Sequence, residues 1–136
     1  MKIHPHIVFN GSCRAAFEFY QRCLNGKIVT MITYGDSPMA GQTAPELRAN
    51  ILHATLVVDD RVIFGSDVAE DHYRPPQGFH LTVGTSDPNE AERLFRDLSE
   101  GGKVDMPLQQ TFWALRFGVL TDRFGISWEV NCEGAK

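Results

Sequence analysis

The sequence has no apolar stretch long enough to span a bilayer, which argues against a helical membrane protein. It has no dense run of lysine or arginine either. With a net charge of −4 and a pI near 5.7, it is a poor candidate for nucleic-acid binding, which needs a basic face to neutralise phosphates. The opening residues, Met1-Lys2-Ile3-His4-Pro5, show no apolar core followed by a small-residue cleavage site. No signal peptide is read, and a cytoplasmic location is expected. There are three cysteines, an odd number, with no C-x-x-C spacing, so neither a disulfide framework nor a structural zinc site is expected. Cys13, Cys23 and Cys132 read as reduced thiols, Cys13 packing as a small hydrophobe.

What is present is ordinary globular material: 136 residues, 43% hydrophobic and 22% charged, enough for one domain over residues 1–136. Residues 3–9 read as a strand ended by Asn10-Gly11. Ser12 is placed to cap a helix whose apolar stripe is Cys13, Ala16, Phe17, Tyr20 and Leu24, stopped by Asn25-Gly26. Residues 27–34 read as a strand and 35–50 as a long loop with a helical turn at 45–48. Residues 52–58 and 61–66 form a hairpin about Asp59-Asp60, and 67–78 is a connector. Residues 79–85 read as a strand. Asp87-Pro88-Asn89-Glu90 then opens a second helix with the stripe Ala91, Leu94, Phe95 and Leu98, stopped by Gly101-Gly102. Strands over 103–106, 112–120 and 126–131 complete the chain.

The second half repeats the order of the first. At one constant offset His4 falls on His80, Ala15 on Ala91, Phe19 on Phe95, Gly26 on Gly102 and Lys27 on Lys103. The expected fold is α+β: two tandem βαβββ modules, about 1–70 and 78–134, forming a curved mixed sheet with helices on the outer face. Two such sheets side by side would close a small-molecule cavity. Strand alternation then selects the residues that reach it. His4, His6 and Val8 share one face of the first strand, and His80, Thr82 and Gly84 one face of the fifth. Ser127, Glu129 and Asn131 share the face of the last strand opposite Ile126, Trp128 and Val130. His80, Glu129 and a first-strand histidine, His4 or His6, are therefore candidate ligands for one divalent metal such as Zn, Fe, Ni or Mn. Such a metal can act as a Lewis acid on vicinal oxygens. His53, opening a strand with a pKa near neutrality, is a candidate general base. Phe112 and Trp113 can stack on a ligand. Arg116, the one charge inside its strand, can bind an anionic substrate, pair with a neighbouring carboxylate or lie at a dimer contact.

These residues resemble the PhnB-like branch of the glyoxalase / bleomycin-resistance / dioxygenase (vicinal oxygen chelate) superfamily. The matching segments are Pro5-His6-Ile7-Val8-Phe9-Asn10-Gly11 with Ala16-Phe17-Glu18-Phe19-Tyr20, His53-Ala54, and Gly65-Ser66-Asp67. They continue with Thr111-Phe112-Trp113-Ala114, Phe117-Gly118, Thr121-Asp122-Arg123-Phe124-Gly125, Trp128 and Asn131. The resemblance implies the paired βαβββ fold, a homodimer and a small-molecule ligand. It implies a function ranging from a metal-dependent lyase, isomerase or dioxygenase-type enzyme to a metal-free, drug-sequestering binding protein. It places metal ligands at His80 and Glu129, the latter also catalytic, with His4 or His6 from the first unit; His6 is otherwise a ligand contact. Phe64 stands near where relatives carry a carboxylate, which puts glyoxalase I activity in doubt. Members of the branch sometimes carry a demethylubiquinone methyltransferase label. The chain shows no glycine-rich nucleotide loop after a strand, so that label is not adopted and no nucleotide cofactor is expected.

Overall fold

In a computed structural model, which describes residues 1–134, each apolar period becomes one element. The order is β1 (His6–Phe9), α1 (Cys13–Leu24), β2 (Lys27–Thr33), β3 (Ile51–Val58), β4 (Arg61–Asp67), β5 (Leu81–Thr85), α2 (Pro88–Ser99), β6 (Lys103–Gln109), β7 (Arg116–Thr121) and β8 (Ser127–Cys132). Short 3-10 turns at Ala40–Gln42, Pro45–Leu47 and Glu70–His72 punctuate the connections. The chain divides into two compact units, Met1–Arg74 and Pro75–Lys136. Each is a strand, a helix and three strands, the expected α+β βαβββ arrangement. The sheet orders are β1-β4-β3-β2 and β5-β8-β7-β6, the first pair in each parallel and the others antiparallel. No helix among the described residues is long and apolar enough to cross a membrane.

In the first unit α1 buries Cys13, Ala16, Phe17, Phe19, Tyr20 and Cys23. Ile7 and Phe9 of β1 and Ala54 and Leu56 of β3 are buried with them. Each large side chain so covered contributes roughly 1.5–3 kcal/mol. The approach is close because Gly65 of β4 lies under the helix. A Cβ there would sit 2.5 Å from the Phe17 ring. Burial also settles Cys13: its thiol pKa is pushed up to about 12, first by desolvation and then by Asp67, so it is a packed hydrophobe rather than a nucleophile.

The start of α1 departs from the local reading. Ser12 occupies the cap position, but its side chain makes no capping bond. Asp67, at the far end of β4, does this work. Its Oδ1 accepts the Gly11 and Cys13 backbone N–H groups at 2.9 and 3.0 Å, and its Oδ2 accepts the Ile51 N–H at 2.8 Å. A carboxylate is the stronger acceptor and its charge favours a helix N-terminus. One side chain thus ties α1, β3 and β4 together.

In the second unit the local signals act as read. Asp87 Oδ1 accepts the Asn89 N–H at 2.9 Å, with Pro88 next in the first turn. Asp122 is buried and organises the β7–β8 turn. Its Oδ1 accepts the Phe124 and Ile126 N–H groups, and its Oδ2 accepts the Trp128 indole N–H at 2.9 Å. Four strand boundaries differ from the sequence reading by two residues or more. β1 starts at His6 rather than at residue 3, so His4 lies ahead of the strand. β5 starts at Leu81, so His80 lies just ahead of it. β6 runs through Pro107 to Gln109, which an edge strand tolerates. β7 starts at Arg116 instead of 112, because Thr111 closes a turn. Its N–H donates to Ala114 O at 3.0 Å, and its Oγ1 accepts the Ala114 N–H at 3.1 Å. Phe112 and Trp113 therefore sit in a loop.

Candidate functional site

The face of the first sheet turned away from α1 gathers the chemistry of the first unit. Alternation on β1 buries Ile7 and Phe9 and leaves His6 and Val8 on the other side. The parallel register sets His6 beside Phe64 and Val8 beside Ser66. Phe64 pairs in turn with Thr55 on β3. His6 Nε2 and Ser66 Oγ share a hydrogen bond of 2.9 Å, and His53 Nε2 and Thr55 Oγ1 one of 3.1 Å. The His6 and His53 rings lie 6.3 Å apart, and His4, His6 and His53 surround the Phe64 ring at 5.4, 6.3 and 5.3 Å. Partial burial, and then the neighbouring His53, lower the His6 pKa from its ordinary value of 6.5. Both effects favour the neutral imidazole, and one of its nitrogens is fixed by Ser66.

In the second unit Trp128, Val130 and Cys132 are buried while Ser127, Glu129 and Asn131 stay half-buried, the alternation the sequence predicts. Glu129 pairs with Thr82 on β5, and Thr82 Oγ1 donates to Glu129 Oε1 at 2.8 Å. Val119 stands beside Glu129 and Phe117 beside Asn131. Trp113, half-exposed in its loop, leans edge-on against Phe117 at 5.3 Å. Asn131 Oδ1 is shielded from solvent and accepts no hydrogen bond among the described residues.

Sequence and structure comparisons assign the family. A family model described as 3-demethylubiquinone-9 3-methyltransferase matches residues 1–131. The chain belongs to that family. It is 32% identical to Protein YjdN of Escherichia coli strain K12 over 96% of this chain and 95% of the relative. The crystal structure of protein PA1353 from Pseudomonas aeruginosa superposes with a TM-score of 0.91 at 42% identity, covering 99% of both chains. A glyoxylase/bleomycin resistance protein/dioxygenase domain from Frankia sp. EAN1pec shares the fold at a TM-score of 0.69 and 14% identity, over 98% of this chain and 97% of that one. A PhnB protein from Bacillus cereus shares the fold too, at a TM-score of 0.81 and 24% identity over 97% of this chain and 99% of that one, so the expected likeness in fold holds.

Within this family fold the expected site residues divide between the two units. His4, His6 and His53 cluster about Phe64 in the first. In the second, Glu129 and Trp113 border one sheet face, and His80 is exposed ahead of β5, near enough to Asp105 to help hold its carboxyl low, behind a Thr121 hydrogen bond and Lys103. Arg116 does not join Glu129. The register pairs it with Cys132, one step out of phase with Asn131, and its Nε reaches Glu92 of α2 at 3.5 Å. Of its three expected roles, the carboxylate pair is the one present in this structure.

The donor set also bears on a metal. The pair His6–Phe64 in β1–β4 occupies the same register as Thr82–Glu129 in β5–β8, so an apolar ring stands at the first unit's counterpart of the carboxylate. Glu129 already accepts a hydroxyl hydrogen. Among the described residues no three His, Cys, Asp or Glu side chains are grouped to hold one ion. Neither unit by itself therefore groups a three-ligand centre, the expected histidine of the first strand and the pair His80 and Glu129 belonging to different units. Sequence reasoning passed over Ser66, the partner that fixes His6, although alternation of β4 alongside His6 was available to find it.

The lowered His6 pKa has a measurable consequence. Native His6 binds fewer protons than unfolded His6, so its contribution to stability is present above about pH 6.5 and lost as pH falls through its folded value. His6→Gln should lose less stability than the parent between about pH 7.5 and pH 5 in urea melts. An equal loss in the two proteins would contradict the assignment.

Proposed function

We propose that this protein binds a small organic molecule against the face formed by His6, His53, Phe64 and Ser66, where a neutral His6 can accept a proton from it. The observation that supports this reading is the pair of imidazoles flanking one aromatic ring, with His6 oriented by Ser66 and its neutral form favoured by burial and His53. Phe64 offers a surface for a planar or apolar part of the ligand. The imidazoles offer hydrogen bonds to an acidic O–H, an N–H or a carbonyl. A fixed neutral imidazole is the usual equipment for proton transfer in isomerase or lyase chemistry. The same face without turnover would sequester its ligand, as a drug-binding protein does. The family is named for methyl transfer, a reaction that needs a donor site. The helix N-termini, common places for a cofactor's anionic group, are here occupied by Asp67 and Asp87.

Thermal melts across a panel of metabolites and drugs test the reading. A stabilising compound should lose most of its effect in Phe64→Ala and in His53→Gln. Recovery of the compound altered or unaltered then separates catalysis from sequestration. Equal stabilisation of parent and variants would overturn the proposed face.

A further inference from the structure

A second feature of the first unit lies away from the histidine face. The β2–β3 connection, residues 34–50, is closed at its base by Tyr34 N–H donating to Asn50 O and Gly35 N–H donating to Arg48 O. Its own hydrogen bonds shape it: Ser37 Oγ donates to Tyr34 O, Thr43 Oγ1 to Met39 O and Arg48 Nε to Thr43 O. The loop is thus self-bonded, and it leaves a cleft of about 520 Å3 against the segment that follows β4. Met39, Ala44 and Leu47 of the loop and Val68 and Ala69 of the segment after β4 line it, together with Tyr34. Tyr34 donates its hydroxyl to Asp67 O at 2.7 Å, and the Asp67 carboxylate is taken up by three backbone N–H groups. The Asp67 carboxylate is therefore turned to backbone donors, and its negative charge disfavours an anionic guest. Gln42 and His72 supply polar ends.

From this we infer a second ligand site, distinct from the histidine face, for an uncharged and predominantly apolar small molecule. The volume lies within the range of small-molecule pockets. An apolar lining gains by excluding water around an apolar guest. The electrostatics select against anions: Glu46 sits in one bordering turn, and Glu70 and Asp71 in the other, all exposed. Arg48, adjacent in sequence, has its Nε engaged with Thr43 O. Acidic neighbours disfavour a carboxylate or phosphate, and the apolar lining favours an uncharged guest.

The test uses the intact chain and the neutral fluorophore N-phenyl-1-naphthylamine, whose emission rises in apolar surroundings. A saturable rise is expected, reversed by decan-1-ol at lower concentration than by decanoate. Ala69→Trp and Ala44→Trp, which fill the cleft from its two lining segments, should each weaken the probe by about tenfold or more, a change of about 1.4 kcal/mol or above. The two segments give independent variants if one fails to fold, as judged by its melting curve. No saturable signal, undiminished binding in a folded filling variant, or preferential displacement by decanoate would overturn the inference. So would loss of the signal in Phe64→Ala instead, which would place the probe on the histidine face. Because the proposed function is read at His6, His53 and Phe64, either conclusion can fail without the other.

Discussion

Asp67→Ala should destabilise the protein by about 4 kcal/mol, seen as a large drop in urea midpoint with little change in slope. The Asp67 side chain is 1% exposed and receives the N–H groups of Gly11, Cys13 and Ile51. Removing it leaves donors from a helix start and a strand start without an acceptor, each costing roughly 1–3 kcal/mol where water does not reach. It also removes the negative charge from the N-terminus of α1, whose Ser12 makes no capping bond. Asp67→Asn keeps one carbonyl oxygen and should cost roughly half as much. A loss below about 1 kcal/mol for Asp67→Ala would show that these three bonds are not what holds α1 to the sheet.

Trp128→Ala should cost a similar amount in the second unit, about 3–5 kcal/mol. Trp128 is 2% exposed and stands on β8 with Val130 and Cys132, all buried. Its indole N–H also donates to Asp122 Oδ2, so truncation leaves a packing void and strips one bond from the carboxylate that shapes the β7–β8 turn. Trp128→Phe separates the two effects. It keeps most of the ring and loses the donor, and should cost about 1–2 kcal/mol. Calorimetric or urea melts of the pair would contradict the account if phenylalanine were as costly as alanine.

The parts of the fold that depend on neighbouring residues were legible in the sequence. The start of α2 is written in Asp87-Pro88 and its stripe in Ala91, Leu94, Phe95 and Leu98, and all appear as read. The two faces of β8 follow from simple alternation, which placed Glu129 opposite Trp128 correctly. What escaped the reading was long-range. Asp67 looked like the first residue of a connector, because its partners at Gly11 and Cys13 come from the other end of the unit. Ser66 meets His6 only once β1 and β4 lie side by side. Residues 112–115 read as the start of a strand because their aromatic residues suit one, and the Thr111 side chain that breaks the ladder carries no strong turn signal. Arg116 was read with its roles left open, and its partner Glu92 comes from a helix the alternation rule does not see.

The most direct measurement is the NMR signal of the imidazoles themselves. With a compound that stabilises the protein in thermal melts, the His6 and His53 ring resonances should shift together and saturate with it, and the His6 titration midpoint, already below 6.5 in the free protein, should move. Stabilisation that leaves both rings unmoved would contradict the claim that this face meets the ligand.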